Sequence, residues 1–402
     1  MGIEDGIGFL VLFSLLLYGG VILFITRGLC SLIKAQDDPI FTLPHNHNTS
    51  SALNHVSTSL PFVSLILPVR NEAGGIRRCL TGFCQQDYPV ELLEIFVTDD
   101  FSEDYTVEIS RNFQRDNPGI NITVISGREL TGALPGKKSA IDRAVKRASG
   151  ELILCTDADT FCTTHWVTAM ARGFSGGRYA MILGPVTFIN DKTIFQKIQS
   201  LEFMGLMGTT AGAVGAGYPV MCNGANIAYS RTAYLETGGF SNNLGYASGD
   251  DHFLMAAIIR KYGKRSVKFL LKEEAVVSTE PERSLVGFFN QRLRWVSKSR
   301  GYHEPAVIAL ALITYAVHFF LLLGIVTGIF FPALLALSLS LWLIKILIDY
   351  PLVWRMTRFF GRKDLLGYYF IAQFFQLFYV VGVGLLGNIL DFRWKGRKKQ
   401  GN

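Results

Sequence analysis

The residue types that could do chemistry fall in five short groups. Asp157 and Asp159 flank a single alanine. In extended backbone, residues two apart project to the same side, so both carboxylates would face one point. That suits a hard divalent cation such as Mg2+ or Mn2+, although a solvated acidic turn has the same spelling. Asp99 and Asp100 end an earlier apolar run, and Ser102, Asp104 and Thr106 follow. Such residues serve turns and helix caps, and a carboxylate there could also accept from a base or ribose. Gly136-Lys137-Lys138-Ser139 opens a helical pattern. Helix amides and a lysine suit phosphate, but the GxxxxGK[ST] loop is absent. Gly249-Asp250-Asp251 precedes the apolar-spaced run 253–262. One Asp would cap that helix, and the second exceeds what a cap needs, which leaves a general base for a hydroxyl. Gln291, Arg294 and Trp295 stand at i, i+3 and i+4, on one helix face. They read either as an interfacial amphipathic helix or as a lid with Arg on phosphate and Trp stacked on a ring.

The elements that must position these residues alternate from residue 62 onward. Runs 63–67, 93–97, 122–125 and 152–155 read as strands, and 76–85, 106–115 and 137–148 as helices. Alternation of this kind predicts an α/β domain with a mostly parallel sheet covered on both faces. Ligands of such sheets bind outside the carboxyl ends of the strands. The Asp99–Asp100 and Asp157–Asp159 clusters each end a strand in this reading.

The rest of the chain is apolar at both ends. The 402 residues have a mean hydropathy of +0.29 and a formal net charge of +7. Residues 6–26 carry no charge, about the ~20 residues a spanning helix needs. Glu4 and Asp5 precede them and Arg27 and Lys34 follow, so an uncleaved anchor is expected rather than a signal peptide. Residues 305–344 are uncharged and too long for one span; Gly328 and Pro332 divide them. Residues 365–390 add a third span after the middle region. Arg27 and Lys34, then Arg283, Arg292, Arg294, Lys298 and Arg300, border the middle region, which places it in the cytosol. A multi-pass integral membrane protein is expected, in the inner membrane if bacterial. The basic residues of 393–399 conflict with a third complete crossing, unless the last segment is re-entrant. Positive charge beside membrane segments fits anionic lipid or a phosphorylated donor and argues against nucleic acid. The six cysteines form no CxxC and read as reduced thiols. Residues 36–60 form a polar linker, where His45, His47 and His55 need no metal to explain them.

Taken in order, the groups resemble the family 2 inverting glycosyltransferases. Ser64-Leu65-Ile66-Leu67-Pro68-Val69-Arg70-Asn71-Glu72 is similar to their opening strand, and Asp99-Asp100-x-Ser102-x-Asp104-x-Thr106 to their second motif. Gly136 to Ala140 looks like their lysine-containing nucleotide loop, and Asp157-Ala158-Asp159 like their metal motif. Asn223-Gly224-Ala225-Asn226 and Gly238-Gly239-Phe240 resemble acceptor-side segments, and Gln291-x-x-Arg294-Trp295 matches QxxRW. The membrane arrangement resembles that of cellulose, chitin-oligosaccharide and poly-N-acetylglucosamine synthases, and of ceramide glucosyltransferases.

The resemblance implies an α/β GT-A domain joined to transmembrane helices. It implies that Asp100 contacts the nucleobase with Glu72 and Lys137 nearby, and that Pro68 lies in the donor-side opening strand. Asp157 would meet the ribose side, Asp159 would hold Mg2+ or Mn2+, and Asp251 would be the base. Asp250 and Gln291 join the donor set, and Arg294 and Trp295 close over diphosphate and acceptor. The expected boundaries are an anchor at 6–29, a linker at 30–60 and the GT-A domain at 61–275. An interfacial helix at 276–304, three membrane segments at 305–390 and a basic tail at 391–402 complete the chain. The expected reaction is inverting transfer from a nucleotide-diphospho-sugar to a membrane lipid or growing glycan at the cytosolic face. A processive synthase that extrudes its product is the alternative, although Gly249 stands where many synthases have Thr. An inactive scaffold should have lost an acidic motif, and none is lost.

Overall fold

The computed structural model describes residues 2–37, 60–174, 178–240, 249–297, 301–387, 392–394 and 397–399. The three linker histidines, Lys298, Arg300 and Lys395 lie outside the described residues.

The chain opens with α1 (Ile3–Asp37), which carries Glu4 and Asp5 in its first turn and Lys34 in its last. That order complements the helix dipole. Then come β1 (Val63–Val69), α2 (Ile76–Cys84), β2 (Leu93–Asp99), α3 (Thr106–Asp116) and β3 (Asn121–Ser126). Next are α4 (Lys137–Arg147), β4 (Leu152–Cys155), β5 (Phe161–Cys162), α5 (Trp166–Phe174), β6 (Met181–Leu183) and β7 (Val186–Phe188). A long helix, α6 (Ile194–Gly215), separates these from β8 (Ile227–Ser230), α7 (Arg231–Glu236), α8 (Asp250–Tyr262), β9 (Val267–Phe269) and β10 (Val277–Thr279). The last part holds α9 (Leu285–Val296), α10 (Pro305–Gly328), α11 (Pro332–Phe359) and α12 (Tyr369–Leu386), then the short β11 (Phe392–Trp394) and β12 (Arg397–Lys399).

Packing divides the chain into two compact units. One comprises Met1–Leu32, Asn190–Val220 and Pro281–Asn402; the other comprises Ile33–Ile189 and Met221–Glu280. Residues 190–220 thus pack with the apolar helices, although they fall inside the 61–275 segment read from sequence.

The second unit is built on a seven-stranded sheet in the order β3-β2-β1-β4-β8-β6-β9. Four pairings are parallel, and both pairings of β8 are antiparallel. The sheet is therefore mixed, with parallel pairings in the majority. A smaller sheet runs β5-β10-β7. Every residue of β1 and β2 is buried, as expected where helices cover both faces. A proline in a central strand would break the ladder, yet Pro68 stands next to last in β1 without harm. Ile66 O accepts from Thr156 N at 3.5 Å, while Val69 O accepts from Asp100 N on the β2 side. Alternation turns Pro68 toward β4, whose last paired residue faces Ile66. The ring thus sits where no partner remains to be lost.

The first unit contains four helices long and apolar enough to cross a membrane: Ile3–Ala35, Pro305–Gly328, Pro332–Phe359 and Lys363–Leu386. A buried polar cluster joins three of them, α1, α11 and α12. Lys345 Nζ reaches Asp349 Oδ2 at 3.0 Å, and donates to Gln373 Oε1 at 2.6 Å and Gln376 Oε1 at 2.8 Å. Tyr18 donates to Asp349 Oδ1 at 2.8 Å. In apolar surroundings such groups persist only when mutually satisfied. The helix α6 begins with a capping box of Thr193 and Gln196 and crosses α1 at glycines. A Cβ on Gly28 would stand 2.1 Å from Gly212 O, and one on Gly215 would stand 2.2 Å from Gly28 O.

Candidate active site

The carboxyl ends of β1 and β2 are tied together by side chains that serve backbone amides. Asn71 and Phe101, just past the two strands, have φ of +52° and +57°, a conformation that strains residues with a side chain. Ser102 Oγ accepts from Asn71 N at 3.0 Å, Thr106 Oγ1 from Glu72 N at 2.7 Å and Asp104 Oδ2 from Ala73 N at 3.0 Å. In return Glu103 N donates to Asn71 Oδ1 at 2.8 Å. Buried Arg70 donates to the carbonyls of Asp100 and Phe101 at 2.7 and 2.9 Å. The regular spacing of Ser102, Asp104 and Thr106 thus holds two loops in register.

Asp99 is fully buried, accepts from Ser102 N through Oδ1 at 3.0 Å, and has no partner for Oδ2 among the described residues. Asp100 Oδ1 accepts from Gly136 N at 2.6 Å. Gly136 has φ +123°, open to glycine alone without strain, and the next residue starts α4. Asp100 therefore fixes the turn from which Lys137 projects.

Lys137 is the electrostatic centre of this edge. Its Nζ donates to Asp157 Oδ1 at 2.7 Å and lies 3.3 Å from Asp250 Oδ2. Burial opposes a charge there, but Asp157 and Asp250 outweigh it and hold the lysine above its ordinary pKa range. Lys138 instead turns inward over the Phe253 ring, 4.6 Å from its centre. Gly249, with φ +85°, starts α8 so that Asp250 and Asp251 occupy its first turn, both largely buried. Asp251 Oδ2 accepts from Gly224 N at 3.0 Å, and Oδ1 from His252 N at 2.8 Å. A Cβ on Gly224 would be 3.5 Å from Asp250 Oδ2, from Asp251 Cβ and from Lys137 Nζ, so a glycine there keeps this space open.

The turn after β4 leaves Ala158 buried, Asp157 half-buried and Asp159 exposed. Thr160 Oγ1 donates to Asp157 O at 2.7 Å, and Thr156 Oγ1 to Ala225 O at 2.7 Å. Glu72 lies close by: a Cβ on Gly75 would be within 4.0 Å of both Ala158 O and Glu72 Oε2. Glu72, Asp100, Lys137, Asp157, Asp250 and Asp251 thus stand at one edge of the sheet unit, with Pro68 buried in the strand behind. Among the described residues no three His, Cys, Asp or Glu side chains form a cage for a metal. The oxygen donors present still fit Mg2+ or Mn2+, which take one or two carboxylates and fill their remaining positions with phosphate and water.

Asn226 is a residue whose part was not visible in sequence. Fully buried, it accepts from Trp166 Nε1 at 3.0 Å and donates to Pro185 O and Ala275 O at 2.9 and 2.8 Å. It pins the Asn223–Asn226 segment against three other parts of the unit. All six cysteines are free thiols, and burial pushes Cys155 up to about 12.

Gln291, Arg294 and Trp295 belong to the helical unit, on α9, and are half-buried. The buried face of that helix is Phe288, Arg292 and Leu293. Arg292, an unspecified position of the motif, forms an ion pair with Glu202 and donates to Gln291 Oε1 at 2.5 Å.

Known proteins resemble this chain in fold and in sequence. A mannosyltransferase from Pyrobaculum calidifontis, solved with GDP-Man and Mn2+, superposes with a TM-score of 0.59 at 16% identity, over 96% of this chain and 99% of that one. It shares the fold. Glycosyltransferase AglE of Haloferax volcanii is 27% identical over 50% of this chain and 63% of its own length. An N-acetylglucosaminyltransferase of Mesorhizobium japonicum is 26% identical over 77% of this chain and 72% of its length. The poly-beta-1,6-N-acetyl-D-glucosamine synthase of Staphylococcus epidermidis is 25% identical over 60% of this chain and 55% of its length. The match thus spans between about half and three quarters of these relatives. The model of glycosyl transferase family 21 matches residues 39–397; the chain belongs to that family and is a glycosyltransferase.

Proposed function

We propose that the protein transfers a sugar, with inversion, from a nucleotide-diphospho-sugar to a lipid or glycan acceptor held at the cytosolic membrane face. The observation that carries this reading is the meeting of Lys137, Asp157, Asp250 and Asp251 at one sheet edge. Four separate stretches of chain supply these groups and Gly224. One half-buried cation among three carboxylates leaves a net negative edge. That edge suits a cation-bound diphosphate, and the P. calidifontis enzyme binds a donor of this class with Mn2+.

In this reading Asp100, Glu72 and Lys137 line the nucleotide side, with Pro68 in the strand behind them and Asp157 toward the ribose. Asp159, exposed beside Asp157, would hold Mg2+ or Mn2+, which supplies Lewis-acid neutralisation of the leaving diphosphate when bound. Lys137 adds a fixed positive charge on the same side. Asp251, oriented by two backbone amides, takes the proton of the acceptor hydroxyl. Gln291, Arg294 and Trp295 bind the diphosphate and the acceptor ring.

The test is a transfer assay with several nucleotide sugars on purified membranes, with product length read in the same gel. A single addition supports a lipid transferase, and a ladder supports processive synthesis. Asp251→Asn should keep donor affinity and lose roughly 10²–10⁴ in turnover; near-normal turnover removes the base assignment. Asp159→Ala should abolish the dependence of donor affinity on Mn2+ in calorimetry, and an unchanged dependence removes the metal assignment.

A further inference from the structure

We infer that Arg292 is a positioning residue for the Gln291-x-x-Arg294-Trp295 motif, setting the Gln291 amide and the Trp295 indole through one planar side chain. The inference rests on the reading of Gln291 and Trp295 given above.

An arginine on a helix beside a membrane would ordinarily turn its charge to lipid phosphate or water. Arg292 does the opposite, being only 4% exposed. Arginine stays charged at any ordinary pH, so its burial demands a partner. Glu202 on α6 supplies one, itself buried, and Tyr379 on α12 donates to Glu202 Oε1 at 2.5 Å. Three helices are thereby joined through one carboxylate.

Charge pairing does not account for the rest of the geometry. The guanidinium carbon stands 4.1 Å from the centre of the Trp295 ring and 4.5 Å from that of Phe288. Arg292 Nη1 donates to Gln291 Oε1, while Nε has no partner among the described residues. A side chain placed only to satisfy its hydrogen bonds would not leave a buried N–H bare. Stacking between two aromatic rings fixes the plane of the fork, and one arm of the fork then fixes Gln291. Trp295 is further held by Phe203, with ring centres 6.3 Å apart. Lysine can replace the charge but neither the plane nor the fork.

The experiment compares Arg292→Lys, Arg292→Met, Glu202→Gln and the double variant Glu202→Gln/Arg292→Met with Gln291→Ala and Trp295→Ala, all full length in detergent. Thermal unfolding and sugar transfer are read for each. Arg292→Met leaves Glu202 unpaired and should be thermally weak. The double variant removes both charges and should regain the melting temperature. If Arg292 positions the motif, the double variant and Arg292→Lys remain about 10–100-fold down in turnover, the scale expected when a binding group is misplaced by about 1 Å. Recovery of turnover together with melting in the double variant shows a purely structural ion pair and overturns the inference. Near-normal turnover in both Gln291→Ala and Trp295→Ala overturns the reading of the motif itself, whatever Arg292 does. If the double variant fails to fold, Arg292→Lys decides: turnover within about 3-fold of the parent at an unchanged melting temperature overturns the proposal.

Discussion

Lys137→Met is the sharpest probe of the carboxylate edge. The lysine side chain is 20% exposed, and its partners Asp157 and Asp250 are 37% and 12% exposed. Removing one member of a fully buried pair costs about 3–5 kcal/mol, because the other charge is left uncompensated. Solvent at Asp157 screens part of this, so about 2–3 kcal/mol is expected here. For a unit of this size that is a fall of about 4–12 °C in melting temperature. The lysine is held above its ordinary range, so its contribution is complete below the unfolded lysine pKa. It disappears only as pH rises through the higher folded value. The difference from the parent should therefore stay level between about pH 6 and 9. The assay is thermal unfolding of the detergent-purified protein, run as a cycle with Asp157→Asn and the double variant. Relief of the unpaired carboxylate predicts a coupling of about 1–2 kcal/mol between the two changes. Additivity to within about 0.3–0.5 kcal/mol would refute the idea that Lys137 and Asp157 form a working pair. So would a melting temperature unchanged in Lys137→Met.

Three further outcomes follow from the packing. Asn226→Ala strands Trp166 Nε1 and the carbonyls of Pro185 and Ala275 and should cost about 3 kcal/mol, read as a lower melting temperature. Gly28→Ala forces a Cβ to 2.1 Å from Gly212 O, whereas Gly20 on the same helix has open space around it. Gly28→Ala should lose folded yield on size exclusion and Gly20→Ala should not, overpacking being worth about 1–3 kcal/mol or more. Burial works against a charge on Asp104, but donors from Thr106 and Ala73 prevail and lower its pKa. Its contribution is then present above the unfolded carboxylate range and lost as pH falls. Asp104→Ala should be about 1 kcal/mol weaker at pH 7, with a gap that narrows below about pH 4.

The first half of the sheet was legible because each of its elements is marked locally. Apolar runs of four to seven residues, separated by helical spacing, are enough to place β1 to β4 and the helices between them. The second half carries no such marks. Strands β6, β7 and β9 have three residues each, too few to show a period, and their pairing is decided by partners up to about 90 residues away along the chain. Residues 194–215 form a helix with no apolar stripe, since more than one side of it is covered. Residue types at the site were readable, but their division of labour was not. Ser102, Asp104 and Thr106 read as cap chemistry; Asp104 does accept from Thr106 N at the start of α3, but all three also satisfy amides of a different loop. Arg292 read as a juxtamembrane charge, because nothing nearby in sequence announces Glu202, which stands on another helix. A charged side chain declares its need for a partner but not the partner's address. Where that address is distant, as for Lys137 and Arg292, only the fold supplies it, and these two arginine and lysine positions are the ones whose substitution tests the reading most directly.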